Sequence, residues 1–188
     1  EPSAAADLGA LRETLGVEGG QITDEQRKRT VEAFGEPLSP ISVVRRILDE
    51  VRLRGNAAVI KYTEKLDDVE LTPEELLVDR REFAAAYERV NPEYREALQL
   101  AKANIEQFQR HVLCRAPEPM TRDGVKIEMV YRPLARVGVY VPGGAAAYPS
   151  AVLMDVIPAQ VAGCREIVVA TAPKRLDDYL MSTFHLLG

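Results

Sequence analysis

Residues 136–164 read RVGVYVPGGAAAYPSAVLMDVIPAQVAGC, and their reading decides the fold. A β-branched run, residues 136–141, is followed by the sharp turn Pro142-Gly143-Gly144 and then by an apolar helix that opens near Pro149 and Ser150. Strand, glycine turn and helix in this order present backbone N–H groups to a phosphate or carboxylate in α/β folds. Paired glycines let a ligand approach the backbone because no side chain stands in the way. The turn is not G-x-G-x-x-G, so the usual dinucleotide fingerprint is absent. Two readings stay open on pattern alone: an anion or nucleotide site, and a tight strand–helix connection that binds nothing.

Downstream, Gly163 ends the helix, and Glu166 to Thr171, EIVVAT, has the length and β-branched character of a buried parallel strand. Residues 136–171 thus form one β-α-β unit, with a further helix over residues 175–187. Pro158 is expected to interrupt or bend the first helix. Upstream the chain is helix-rich. Thr23 can cap a helix to about Phe34, Ser39-Pro40 opens a stronger one that Gly55 terminates, and Asn56 starts the next. Residues 76–78 read as a short strand after Pro73. Residues 80–90 are helical, and Asn91-Pro92 begins a long helix to about His111. Asp123-Gly124 is a turn signal between Met120 and a strand over residues 125–132. Residues 1–22 read as an arm ending at Gly19-Gly20, with a helix over residues 7–15 as one reading.

The chain has 188 residues, 46% of them hydrophobic and 28% charged, with a formal net charge of −5. This is a globular composition. No basic block points to nucleic acid, and no apolar run reaches membrane-spanning length. Two distant cysteines, Cys114 and Cys164, point to a reduced, cytoplasmic protein rather than a disulfide-stapled one. The first residue is Glu1 and few strands precede the last helix. The reading is therefore the N-terminal piece of a longer enzyme, with its α/β fold incomplete.

Chemistry-bearing residues are few. His111 and His185 are the only histidines and belong to no ligand-spaced cluster, so structural roles are expected and no metal ligand is assigned. Ser150 reads as a helix cap, Asp155 and Gln160 as exposed helix positions, and the pairs Asp67-Asp68, Glu74-Glu75 and Asp177-Asp178 as solvated or capping charges. No catalytic residue is assigned. Tyr140 is sharper. It stands near the carboxyl end of the strand that feeds the glycine turn, where ligands of open α/β sheets bind. It can stack on a ring or hydrogen-bond a ribose or phosphate oxygen. The competing reading is a core tyrosine with its hydroxyl at the rim.

The segment RPLARVGVYVPGGAAAYPSAVLMDVIPAQVAGCREIVVATAP, residues 132–173, resembles the N-terminal part of histidinol dehydrogenases through its VGVYVPGG, YPSAVLM and IPAQVAGC elements in order and spacing. VRRILDEVRLRGNAAVIKYTEKLD (44–67) and ALQLAKANIEQFQRHV (97–112) add support, and the resemblance runs from about Pro40 to Gly188. It implies a cytoplasmic, zinc-dependent homodimer of histidine biosynthesis that oxidises L-histidinol through L-histidinaldehyde to L-histidine, reducing two NAD. It implies a Rossmann-like fold, organised here as an arm and helix (1–38), a helix-rich part of the first large domain (39–135) and the start of an NAD-binding domain (136–188). It implies NAD contact by Tyr140, with Gly143 and Gly144 as backbone neighbours. The family's zinc ligands and catalytic glutamate–histidine pair lie beyond Gly188, so the resemblance implies that this segment alone is inactive. Two other readings compete with it. One is a non-catalytic binding or assembly module derived from the family. The other is an aldehyde dehydrogenase-type enzyme, which ranks below because Cys114 and Cys164 are poorly placed for an exposed thiolate.

Overall fold

The computed structural model describes residues 23–142 and 148–188. The helix read over residues 7–15 lies outside them. Helices and strands are mixed, and the chain divides into two compact units, residues 1–77 and 78–188.

In the first unit, α1 (Asp24–Phe34), α2 (Pro40–Arg54) and α3 (Asn56–Asp67) follow the local signals. Ser39 caps α2 by accepting from the Ser42 amide, Pro40 occupies the first helical turn, and Gly55 ends the helix. The α2–α3 pair closes over Ala58 and Tyr62, both buried, and the Lys61 ammonium donates to Glu50 at 2.7 Å across the pair. Residues 76–78 form no strand. The chain instead makes a 3₁₀ turn over Glu74–Leu76. Pro73 has helical dihedrals, and the Glu75 carboxylate accepts from the Thr72 amide at 2.8 Å, so local capping outcompetes an extended run that has no partner.

The second unit contains α4 (Arg80–Arg89), α5 (Pro92–Val112), β1 (Met120–Arg122), β2 (Val125–Ile127), β3 (Arg136–Val141), α6 (Pro149–Val161), β4 (Glu166–Thr171) and α7 (Asp178–Leu187). Asp79 and Asn91 cap α4 and α5. β1 and β2 pair antiparallel about Asp123-Gly124, whose φ values of 51° and 79° are those of a two-residue primed turn. The strand expected over residues 125–132 stops at Ile127, because β1 offers only three residues to pair with.

β3 and β4 pair parallel over six positions, from Arg136↔Glu166 to Val141↔Thr171. α6 is their crossover, and it is buried on two sides, which explains why its sequence is apolar almost all round. Val152 and Val156 join Val141 and Leu180 beneath the sheet, together with Val139, Ile167 and Val169. Leu153 and Ile157 pack instead on Leu98 of α5, beside Tyr94, Ala101 and Ile105. The expected interruption at Pro158 does not occur, since α6 continues to Val161. Its ring removes one bond, to the carbonyl of Met154, which lies on the solvent side where water can substitute. β4 is parallel as expected but not buried on both faces. Ile167, Val169 and Thr171 point inward while Glu166, Val168 and Ala170 are exposed.

The last helix begins later than the expected residue 175. A 3₁₀ turn over Pro173–Arg175 comes first, and Asp177 then caps α7 by accepting from the Leu180 amide at 2.8 Å. α7 is tied to its neighbours. Phe184 meets Phe83, Tyr94 donates to the Tyr179 carbonyl, and Lys102 and Gln160 donate to the carbonyls of Leu186 and Leu187.

Asp178 of α7 accepts two hydrogen bonds from the Arg89 guanidinium, one of them at 2.8 Å. These bonds hold its carboxyl below the usual aspartate value. A carboxyl whose folded pKa is depressed contributes stability above its unfolded pKa and loses it as pH falls through the folded value. Asp178→Asn is therefore expected to be less stable than wild type at neutral pH, and the two should converge as pH falls below 3.8. Thermal midpoints followed across acid pH check this; parallel profiles would remove the ion pair from the account.

Candidate functional site

The site grows from the parity of β3. Val137, Val139 and Val141 face the helices, which places Arg136, Gly138 and Tyr140 on the opposite face. In parallel register Tyr140 stands beside Ala170, and Gly138 beside Val168. The small residues around it leave the phenol ring standing over a low shelf, and Tyr140 is 69% exposed. Within these 188 residues the ring is thus exposed, on the face of β3 opposite the helices. At the other end of the strand pair, Arg136 and Glu166 form an ion pair at 3.1 Å, well away from the carboxyl ends.

Beyond Tyr140 the described chain continues through Val141 to Pro142. Gly143 and Gly144 lie outside the described residues. The chain returns at Tyr148, which precedes α6 without a side-chain cap. Ser150 is thus the second residue of the helix and not its cap, correcting the expectation. Pro149 has no N–H to leave unsatisfied, and the Tyr148 carbonyl accepts from the amides of Ala151 and Val152.

Thr171, at the carboxyl end of β4, was not singled out by sequence reasoning. Its hydroxyl oxygen is buried and has no hydrogen-bond partner. It points to the helix-covered face, in register with Val141, and so lies on the opposite side of the sheet from Tyr140. No sequence signal marks it, because EIVVAT reads as apolar strand throughout.

The remaining candidates have structural surroundings. Asp155 and Gln160 are exposed positions on α6, and Gln160 donates to the last turn of α7 at 2.8 Å. His185 lies against the ring of Tyr87 at 4.8 Å between centroids. His111 is exposed in the last turn of α5, where a cation complements the helix dipole. Cys114 is exposed and Cys164 half-buried, and neither is in a disulfide. Among the described residues no group of three or more His, Cys, Asp or Glu could hold a metal ion. No helix among them is long and apolar enough to cross a membrane.

What the shelf can do follows from its parts. An exposed ring next to Gly138 and Ala170 can stack a planar heterocycle without displacing a side chain, and its hydroxyl can donate to a ribose or phosphate oxygen.

The family model described as histidinol dehydrogenase matches residues 36–188. The chain is 42% identical over 188 residues to a histidinol dehydrogenase of Rhodopirellula baltica, covering 98% of this chain and 41% of that protein. It is 48% identical over 132 residues to a histidinol dehydrogenase of Methanopyrus kandleri, covering 69% of this chain and 30% of the relative. The crystal structure of histidinol dehydrogenase from Elizabethkingia anophelis superimposes with a TM-score of 0.72 at 29% identity, covering 88% of this chain and 39% of that one. The chain thus spans about two-fifths or less of the length of these proteins.

Proposed function

The chain belongs to the histidinol dehydrogenase family, and from that premise we propose that it is part of a cytoplasmic, homodimeric enzyme of histidine biosynthesis that oxidises L-histidinol to L-histidine by way of L-histidinaldehyde. The first oxidation passes a hydride to one NAD and releases a proton; the second consumes a water, which supplies the new carboxyl oxygen, passes a hydride to a second NAD and releases a proton, with a further proton lost as the carboxyl ionises. The observation that carries the role of this segment is the exposed Tyr140 on its shelf at the carboxyl end of a parallel strand pair, the position where open α/β sheets take ligands.

In this reading Tyr140 lies against the dinucleotide, and Gly143 and Gly144 offer backbone N–H groups to it. Residues 136–188 open a Rossmann-like NAD-binding domain, residues 39–135 belong to the first large domain, and residues 1–38 are an arm and helix. NAD fits the residues present: a ring free to stack, flanked by Gly138 and Ala170. Bound there, it supplies the hydride acceptor, while this segment binds and orients it. Zinc does not fit. The described residues offer no ligand set, so the proposal places its ligands, and the base that accepts the protons, beyond residue 188. The 188 residues by themselves hold the cofactor and turn nothing over.

The test has two parts. Titration of the 188-residue chain with NAD should give saturable binding. Histidinol-dependent NADH formation should be seen with the whole protein and not with these residues alone. NAD binding without turnover in the whole protein would leave a binding module. Turnover by the 188 residues would overturn the assignment of the base to later sequence.

A further inference from the structure

Glycine weakens the interior of a strand, because it loses more backbone freedom on folding than any other residue and has no side chain to pack. β3 nevertheless carries Gly138 at its third position. The usual structural reasons for such a glycine do not hold among the described residues. Its φ is not positive, unlike those of Gly124 and Gly163. β3 and β4 pair one to one through Gly138↔Val168, so there is no bulge. A Cβ built on Gly138 would meet no atom within 4 Å, so no neighbour crowds it. What is left is close approach to the backbone by a group outside the described residues.

Position says which group. Gly138 shares a face of β3 with Tyr140 and Arg136, and same-face residues repeat every 6.6 Å or so along a strand. Arg136 is tied to Glu166 at 3.1 Å. Between it and Tyr140 the strand is therefore bare for about 13 Å, with the Gly138 peptide in the middle. On β4 the gap is bordered by Val168, 41% exposed, and Ala170. An aromatic ring at one end, a bare peptide below and an apolar side chain at the edge suit a flat heterocycle. Two stacked rings approach to about 3.5–4 Å, which is less than the step from Tyr140 to Gly138. We infer that Gly138 is kept without a side chain for the dinucleotide: the heterocycle of NAD that stacks on Tyr140 lies on the Gly138 peptide, with Val168 at its edge. This rests on the NAD reading of Tyr140 given above. It adds the residue that decides how closely the ring seats on the sheet, and it runs the ligand back along the face of β3 as well as over its carboxyl end.

Titration of the whole protein with NAD, beside a thermal melt without NAD, tests this. G138A and G138V should weaken binding by about tenfold and about 100-fold, the scale on which a binding site rejects added methylenes. The melting point of the NAD-free protein should hold or rise, since an open strand position favours a side chain over glycine. Affinity and stability thus move apart, which a merely structural glycine would not allow. A lower melting point in both variants overturns the inference, because protein then fills the space over Gly138. Unchanged affinity in both overturns it as well. Tyr140 and Gly138 hold one ring, so G138V should cost the Y140A variant no more than about twofold further affinity. Losses that multiply would set the two residues against different parts of the dinucleotide and overturn the inference. Weak binding in Y140A beside full affinity in G138V is a failure of this inference alone, whereas full affinity in Y140A removes the reading on which it rests.

Discussion

Tyr140→Ala is expected to weaken NAD binding by about 10- to 100-fold while leaving thermal stability unchanged. The magnitude comes from stacking of a base on an aromatic ring, worth about 1–3 kcal/mol, with 1.4 kcal/mol for each factor of ten. The stability half follows from place. The ring is 69% exposed and sits on the face of β3 that carries no helix. Removing it opens no cavity among Val139, Val141 and Val152. Tyr140→Phe separates the ring from its hydroxyl. Near-normal affinity in the Phe variant would assign the interaction to stacking, and a loss as large as that of Ala would assign it to a hydrogen bond. The measurement is a calorimetric or fluorescence titration of each variant with NAD, beside a thermal melt. Full affinity in Tyr140→Ala would remove this residue from the site. A lower melting point accompanying weak binding would show that Tyr140 supports the strand rather than the ligand.

The parts of this architecture that the sequence revealed are those set by local chemistry. Ser39-Pro40 and Asn91-Pro92 mark helix starts because a side-chain acceptor or a missing N–H acts within one turn. What was not legible depends on partners. Residues 76–78 have strand composition but nothing to pair with, and the strand from Val125 is cut short by the length of β1. EIVVAT reads as a doubly buried strand, yet β4 exposes Val168 and Ala170, because burial depends on what lies across each face. The shelf beside Tyr140 escaped for the same reason. It is assembled by the register Tyr140↔Ala170 and Gly138↔Val168, a relation between segments thirty residues apart that no local pattern encodes.

Leu153→Ala is expected to be the most damaging single substitution in unit 78–188, destabilising it by about 2–5 kcal/mol. The physical reason is the double duty of α6. Val152 and Val156 close the sheet, while Leu153, 1% exposed, packs with Ile157 on Leu98 of α5, beside Tyr94, Ala101 and Ile105. Truncation removes the apolar area and leaves a void whose walls belong to two helices held elsewhere. Collapse is therefore incomplete and the cavity cost adds to the transfer cost. The adjacent Met154 provides the internal control, since it is exposed on the same helix and Met154→Ala should stay within about 0.5 kcal/mol of wild type. For a unit of this size Leu153→Ala should lower the thermal midpoint by roughly 10–20 °C, read by calorimetry or by urea unfolding. The effect should extend to the site without any contact to it, because α6 is the next described element after β3 and packs against it. NAD affinity should fall in Leu153→Ala only as the fraction of folded unit falls, and return to the wild-type value on cooling. A loss of affinity that persists where the variant is fully folded would mean that packing of α6 on α5 sets the geometry of the proposed NAD site as well as its stability.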